Sequence, residues 1–213
     1  HAALLDLARQ HGATPFMVLQ TALAAMLRRL GAGDDIPLGS PVAGRIDPAL
    51  EDLVGFFVNT LVLRMDASGN PRFADLLERA RRTDLAAWEH QDLPFEELVE
   101  HLSPSRSLAR HPLFQVLLQV QNTARADLTL PGLSLQAMDA DTGTSKFDLA
   151  FHVAEEHDAD GRPAGMEITL EYSADLYTPD SAGRVLDSFH RLLRAAIGDP
   201  QARLTDLPVI DPA

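Results

Sequence analysis

Apolar residues recur at three- and four-residue steps in three stretches of the chain. Phe16, Leu19, Leu23, Met26, Leu27 and Leu30 make the first, and Phe73, Leu76, Leu77, Ala80, Ala87 and Trp88 the second. Ala182, Val185, Leu186, Phe189, Leu192, Leu193 and Ala196 make the third. This spacing predicts amphipathic helices. Thr14-Pro15 and Thr178-Pro179 supply a cap and a first-turn proline to the first and third. Arg28 and Arg29 suit the C-terminal dipole of the first, and Gly31 and Gly33 stop it. Arg79, Arg81 and Arg82 read as the solvated face of the second, which Pro94 ends before a short acidic helix over Phe95 to Leu102. A helical pattern at His1 to Ala8, with no capping residue before it, reads as cut from something longer.

Other stretches read as strands. Ile36 to Pro41 predicts a short one, whose two prolines argue against a fully paired central position. Leu113 to Gln121 is mostly apolar and too short for a typical helix, which predicts a central strand buried on both faces. Phe147, Leu149, Phe151 and Val153 alternate with polar or small residues, as do Met166, Ile168, Leu170 and Tyr172, predicting an antiparallel hairpin across the polar segment 155–165. A weaker strand signal lies at Leu133 to Ala137. Helices and strands mixed over one sheet predict an α/β or two-layer α+β domain over 1–203. Residues 204–213, with Pro208 and Pro212, read as a tail or linker.

The run Val54-Gly55-Phe56-Phe57-Val58-Asn59-Thr60-Leu61-Val62-Leu63-Arg64 organises the rest. It reads as one strand, interrupted in its middle by a polar pair. An unpaired carboxamide in an apolar sheet costs roughly 1–3 kcal/mol. Asn59 therefore has a fixed partner or faces a polar cavity.

Composition narrows the classes. The chain has 213 residues, 46% of them hydrophobic, enough for a sizeable core. A net charge of -13 argues against nucleic-acid and anionic-membrane partners. The absence of cysteine excludes disulfides, thiolate nucleophiles and Cys-bound zinc, and suits a cytoplasmic setting. No apolar stretch approaches the roughly 20 residues of a membrane span.

Candidate chemistry is sparse. His157-Asp158-Ala159-Asp160-Gly161 invites a general-base or metal reading, but Asp and Gly in a hairpin loop favour a turn. His90, His111 and His152 read as structural or half-exposed histidines. No histidine stands in a triad context, H-E-x-x-H is missing, and Gly39 to Gly44 has neither the spacing nor the lysine of a phosphate loop. No catalytic or metal-ligating residue is assigned on these grounds.

Three stretches carry a resemblance. V-G-F-F-V-N-T-L-V-L-R at 54–64, H-Q-D-L-P-F-E-E-L-V at 90–99 and R-H-P-L-F-Q-V at 110–116 resemble signature motifs of nonribosomal peptide synthetase condensation domains, in the family's order and with similar spacing. T-P-F-M-V-L-Q at 14–20, G-S-P-V-A-G-R at 39–45 and S-K-F-D-L at 145–149 support it, so the resemblance spans essentially the whole chain. It implies one of two chloramphenicol-acetyltransferase-like lobes, the C-terminal one, with a mixed, largely antiparallel sheet packed by helices. The N-terminal lobe of that family carries H-H-x-x-x-D-G, which this sequence lacks; His157 to Gly161 is one residue short and lacks the first His. The resemblance thus implies half of a condensation domain, inactive alone.

It also implies a reaction and partners. Donor and acceptor carrier proteins present phosphopantetheine-bound thioesters at opposite ends of a tunnel between the lobes, and the acceptor amine attacks the donor thioester to give an amide. No cofactor is bound directly. The implied partners are the missing N-terminal lobe, both peptidyl carrier proteins and an adjacent adenylation domain. Asn59 is expected to hydrogen-bond substrate or pantetheine, with Phe56, Phe57 and Val58 as tunnel wall. Structural roles are expected for Gly55, for Thr60 in fixing the strand, and for Arg45 in holding the turn beside it. Pro94 and Phe95 are expected to set a helix junction that Asp92 caps; Arg110, Pro112 and Phe114 are expected to seat the buried strand. Residues 122–146 are the expected segment crossing to the other lobe.

Three other readings stand beside this one. A silent condensation-like domain would dock carrier proteins or tailoring enzymes, an epimerising or cyclising relative would keep the fold, and a single-lobe acyltransferase would work as a homo-oligomer with its own catalytic histidine.

Overall fold

A computed structural model describes residues 1–45, 47–50, 52–103, 110–121, 133, 143–158 and 160–210. The helices are α1 (Ala2–Gln10), α2 (Pro15–Arg29), α3 (Phe73–Trp88), α4 (Phe95–Leu102) and α5 (Pro179–Gly198). The strands are β1 (Asp35–Val42), β2 (Asn59–Asp66), β3 (Val116–Gln121), β4 (Leu149–His157) and β5 (Pro163–Tyr172), in the order β2-β1-β3-β4-β5. The outer pairs β1/β2 and β4/β5 are antiparallel, while β3 runs parallel to both its neighbours. The sheet is therefore mixed, antiparallel at its flanks and parallel through the middle.

One face of the sheet takes the helices. Ile36, Leu38, Met65, Leu118, Leu149, Phe151 and Val153 meet the buried stripes of α1, α2, α3 and α5 in one continuous core. Helix α2 is the centre of that layer: every residue from Met17 to Leu27 is buried, including Gln20 and Thr21. The Thr14 hydroxyl accepts from the Met17 N–H at 3.2 Å and the Thr178 hydroxyl from the Ser181 N–H at 3.2 Å, so both predicted caps form. The other face carries a smaller cluster of Phe114, Leu117 and Ala150 with Val62, Phe95, Leu113 and Phe147 around it.

Several expectations are corrected. The run 54–64 is not one strand: β2 begins only at Asn59, and Val54 to Val58 is irregular, with Val54 and Phe56 fully or almost fully exposed. For β1 the expectation holds: it lies inside the sheet but is not fully paired. It pairs along its whole length with β2, and its contact with β3 is confined to Leu38 and Gly39, between Pro37 and Pro41. The arginines of α3 are not merely solvated. Arg79 donates to the Asp66 and Ser68 carbonyls at 2.9 and 3.1 Å, and Arg81 to the Gly12 carbonyl at 2.9 Å. Nor do residues 204–209 hang free, because Leu204, Leu207 and Val209 are buried in the helix-side core and the Leu204 N–H donates to the Pro71 carbonyl at 3.1 Å. A hydrophobic residue at every second or third position can anchor an irregular strap as firmly as a helix. The strand signal at 133–137 and the crossing segment at 122–146 lie almost wholly outside the described residues.

Candidate functional site

The stretches that carried the resemblance lie far apart in sequence and meet on the face of the sheet opposite the helices. Gly39, in β1, makes room for Phe114: a Cβ at residue 39 would stand 2.1 to 2.6 Å from three atoms of that ring. Phe114 is completely buried, stacks on Phe147 with centroids 5.2 Å apart, and meets the edge of Phe95 at 6.0 Å. His111 lies 4.1 Å from Phe114, 5.1 Å from Phe147 and 5.3 Å from Phe95. Burial among these rings holds the His111 imidazole below its ordinary pKa, against a weaker opposing pull from the Phe114 backbone. It is a neutral packing group here, and its Nδ1 has no hydrogen-bond partner.

Asn59 ties the rim of this cluster together. Its Nδ2 donates to the carbonyls of Gln91 at 2.8 Å and Leu93 at 2.7 Å, and its Oδ1 accepts from the N–H groups of Thr60 at 2.8 Å and Phe95 at 3.1 Å. A carboxamide has two donors and two acceptor sites, so this one is fully used. The expectation of a substrate hydrogen bond is corrected: the fixed-partner reading of Asn59 holds, and its partners are backbone. Helix α4 has no side-chain cap of its own, because Pro94 occupies the cap position. Asp92 is exposed and does not cap it; Asn59 takes one of its free N–H groups instead.

Beyond β2 the segment 53–58 is held at its ends and exposed between them. Arg45 donates to the carbonyls of Leu50 and, at 2.8 Å, Leu53, and its guanidinium lies 4.4 Å over the Phe57 ring. Gly44, at φ +65, sits so close to Phe57 that a Cβ would meet its carbonyl oxygen at 1.8 Å. Gly55 likewise leaves space for the same ring, 2.9 Å from its would-be Cβ. Phe57 is half-buried by these contacts, whereas Leu53, Val54, Phe56 and Val58 point outward.

The same face continues into a polar groove of about 340 Å³ lined by Gln119, Gln121, His152, Glu167 and Thr169. Gln119, His152 and Thr169 are cross-strand partners on β3, β4 and β5 in one row. His152 Nδ1 and Gln119 Oε1 are 3.2 Å apart. The sequence signal for this row was present, glutamines in an otherwise apolar strand and a histidine on the polar side of β4, but only the register joins them. Arg110 and Pro112 stay exposed at the turn leading into β3, where Gln115 Nε2 donates to the His111 carbonyl at 2.9 Å. Arg110 lines a separate cleft of about 290 Å³ with Asp35, Asp148 and Tyr177. Burial and the Asp148 carboxylate raise the Tyr177 pKa, which keeps the phenol protonated. His90 and Asp92 are exposed and His157 lies outside this surface. In the expected turn, Asp158 accepts from the N–H groups of Asp160 at 2.9 Å and Arg162 at 2.8 Å.

No set of metal-ligating side chains lies on this face among the described residues. No helix among them is long and apolar enough to cross a membrane.

Comparison with known proteins agrees with this geometry. A family model described as the condensation domain matches residues 1–213. A dimodular nonribosomal peptide synthase of Bacillus subtilis (strain 168) is 52% identical over 212 residues, all of this chain and 9% of that protein. The crystal structure of the X-domain from teicoplanin biosynthesis superposes with a TM-score of 0.92 at 33% identity, over 99% of this chain and 47% of that one. The complex of that X-domain with OxyB matches at 0.89 and 33%, over all of this chain and 46% of the other. The chain thus spans a small part of the synthetase and about half of the X-domain.

Proposed function

Because this chain belongs to the condensation-domain family of the nonribosomal peptide synthetases, we propose that it is the C-terminal lobe of an amide-forming condensation domain. One observation carries this reading. The apolar segment 53–58 is held by Arg45, through the Leu53 carbonyl and the Phe57 ring, yet presents Val54, Phe56 and Val58 to solvent beside an uncovered sheet face. Apolar side chains anchored at two points and otherwise uncovered suit a surface completed by another body. In this reading the second lobe covers that face, and the tunnel between them runs past Phe56, Phe57 and Val58.

The lobe's task is then positioning. The acceptor amine, on one carrier's phosphopantetheine, attacks the donor thioester carbonyl on the other. The C–N bond forms, the C–S bond breaks, and the amine proton leaves with the released pantetheine thiol. Holding both thioesters in line converts a bimolecular step into an intramolecular one. The chain lacks the H-H-x-x-x-D-G sequence, so the proton-handling histidine belongs to the other lobe and this chain alone is inactive. Its partners are that lobe, donor and acceptor carrier proteins and an adenylation domain, and its setting is the cytoplasm.

A second reading is favoured by one finding: the X-domain to which this chain is similar is known in complex with OxyB. Here the same surface serves to dock another protein and forms no amide. A single-turnover assay separates the two. The chain joined to an upstream lobe is incubated with donor- and acceptor-loaded carriers, and the new amide is sought by intact mass. Amide above a carrier-only background supports condensation, and its absence with carriers retained supports docking.

A further inference from the structure

On the helix side of the sheet, at the end of β4, three side chains outside the surface described above converge. Glu155 and His157 are two residues apart on one strand and so project to the same side, the side of Phe151 and Val153 that covers the main core. The pairing with β5 shifts register between Glu156 and His157, an irregularity of the kind that re-aims a side chain. His1, at the N-cap of α1, reaches the same place and spends no side-chain hydrogen bond on capping.

The distances are those of a loosely formed ligand set. His1 Nε2 is 3.6 Å and His157 Nε2 3.9 Å from Glu155 Oε2, and one ligand atom from each residue lies within 4.8 Å of the others. Ligand atoms bound to a tetrahedral ion at about 2.1 Å stand about 3.4 Å apart, so a contraction of a few tenths of an ångström closes the two pairs made by Glu155, and the two imidazoles, within 4.8 Å of each other, turn toward each other by up to about 1.4 Å. The His1 side chain is 2% exposed, and neither of its ring nitrogens has a hydrogen-bond partner. A buried imidazole with both nitrogens unused is costly, and an ion at this point removes part of that cost.

We propose that His1, Glu155 and His157 form a binding site for a divalent transition-metal ion, with zinc the best match. Two imidazoles and one carboxylate suit zinc and its neighbours, whereas magnesium and calcium prefer oxygen ligands. His157 is 46% exposed, so a fourth position stays open to water. The ion ties the start of α1 to the tip of the β4–β5 hairpin, where the His1 and His157 rings already meet edge-on at 5.4 Å. This role is structural and independent of the proposed amide chemistry, which needs no metal.

The test uses the 213-residue chain stripped with a chelator and titrated with Zn²⁺ in a calorimeter, with Co²⁺ as a spectroscopic stand-in. The expected result is one equivalent bound, a visible Co²⁺ absorption band, and affinity weakened about tenfold or more in both Glu155→Gln and His157→Ala. His101→Ala, an exposed histidine elsewhere, leaves binding unchanged. Melting curves in chelator verify that each variant folds. Absence of saturable binding, or affinity indifferent to Glu155 and His157, overturns the proposal and leaves a His1–Glu155 contact.

Discussion

The Oδ1 of Asn59 accepts the N–H of Phe95 across 36 positions of sequence, at 3.1 Å. A side chain at the first position of β2 thereby caps a helix whose own cap residue, Pro94, cannot. The same amide binds the carbonyls of Gln91 and Leu93, so the loop before α4 and the strand before it are fixed to each other.

Asn59→Ala removes all four bonds and leaves one part-buried carbonyl, of Gln91, one exposed carbonyl, of Leu93, and a helix N–H without their side-chain partner. A loss of about 1–3 kcal/mol is expected from urea unfolding. Asn59→Asp should be at least as harmful, because a carboxylate faces the carbonyls of Gln91 and Leu93 with no hydrogen to donate. Stability equal to the parent in both variants would count against the clamp.

Gly39→Ala places a methyl group inside the Phe114 ring, 2.1 Å from its nearest atom. The ring is fully buried and has nowhere to retreat. The cost should be about 1–3 kcal/mol. Phe114→Leu, destabilising by itself, should cost less in the Gly39→Ala background than alone, so a double-mutant cycle reports coupling. Additive losses would show that the ring does not depend on Gly39.

Asp84 gives a pH-dependent prediction. It is buried on α3, where Gln20 Nε2 donates to its Oδ1 at 3.0 Å, while Gln20 Oε1 and Asp84 Oδ2 have no partners. Burial, outweighing that hydrogen bond, pushes its pKa from 3.8 up to about 7. The folded chain therefore holds the proton more tightly than the unfolded chain. Asp84's contribution to stability is fully present below the unfolded value, falls as pH rises, and is lost above about 7. Asp84→Asn should gain stability relative to the parent at about pH 8 and lose that advantage toward about pH 4. Parallel stability profiles across this range would contradict the assignment.

Much of this architecture was legible because periodicity reports burial. The stripes on α3 and α5, the alternation in β4 and β5 and the Thr-Pro caps all form as expected, whereas α2 is buried all round from Met17 to Leu27 rather than on one stripe. Val54 to Val58 misled for the converse reason: apolar residues that await a partner look like strand until the fold shows nothing covering them. The prolines of β1 were a sound signal, because loss of an N–H limits pairing on one side, toward β3, while β2 pairs throughout. Long-range relations carry no local signal. Asn59 to Phe95, Gly39 to Phe114 and Gln20 to Asp84 each join distant segments, and no spacing rule announces them.

In the proposed function, segment 53–58 is the seam to a second lobe. Hydrogen–deuterium exchange tests it most directly, comparing residues 1–213 alone with the same chain joined to an upstream lobe. Amides of 53–58 should exchange fast in the free chain and slow about tenfold or more in the joined one, since burial at an interface suppresses local opening. Those of α2 should be unchanged. Equal exchange of 53–58 in both states would contradict the account.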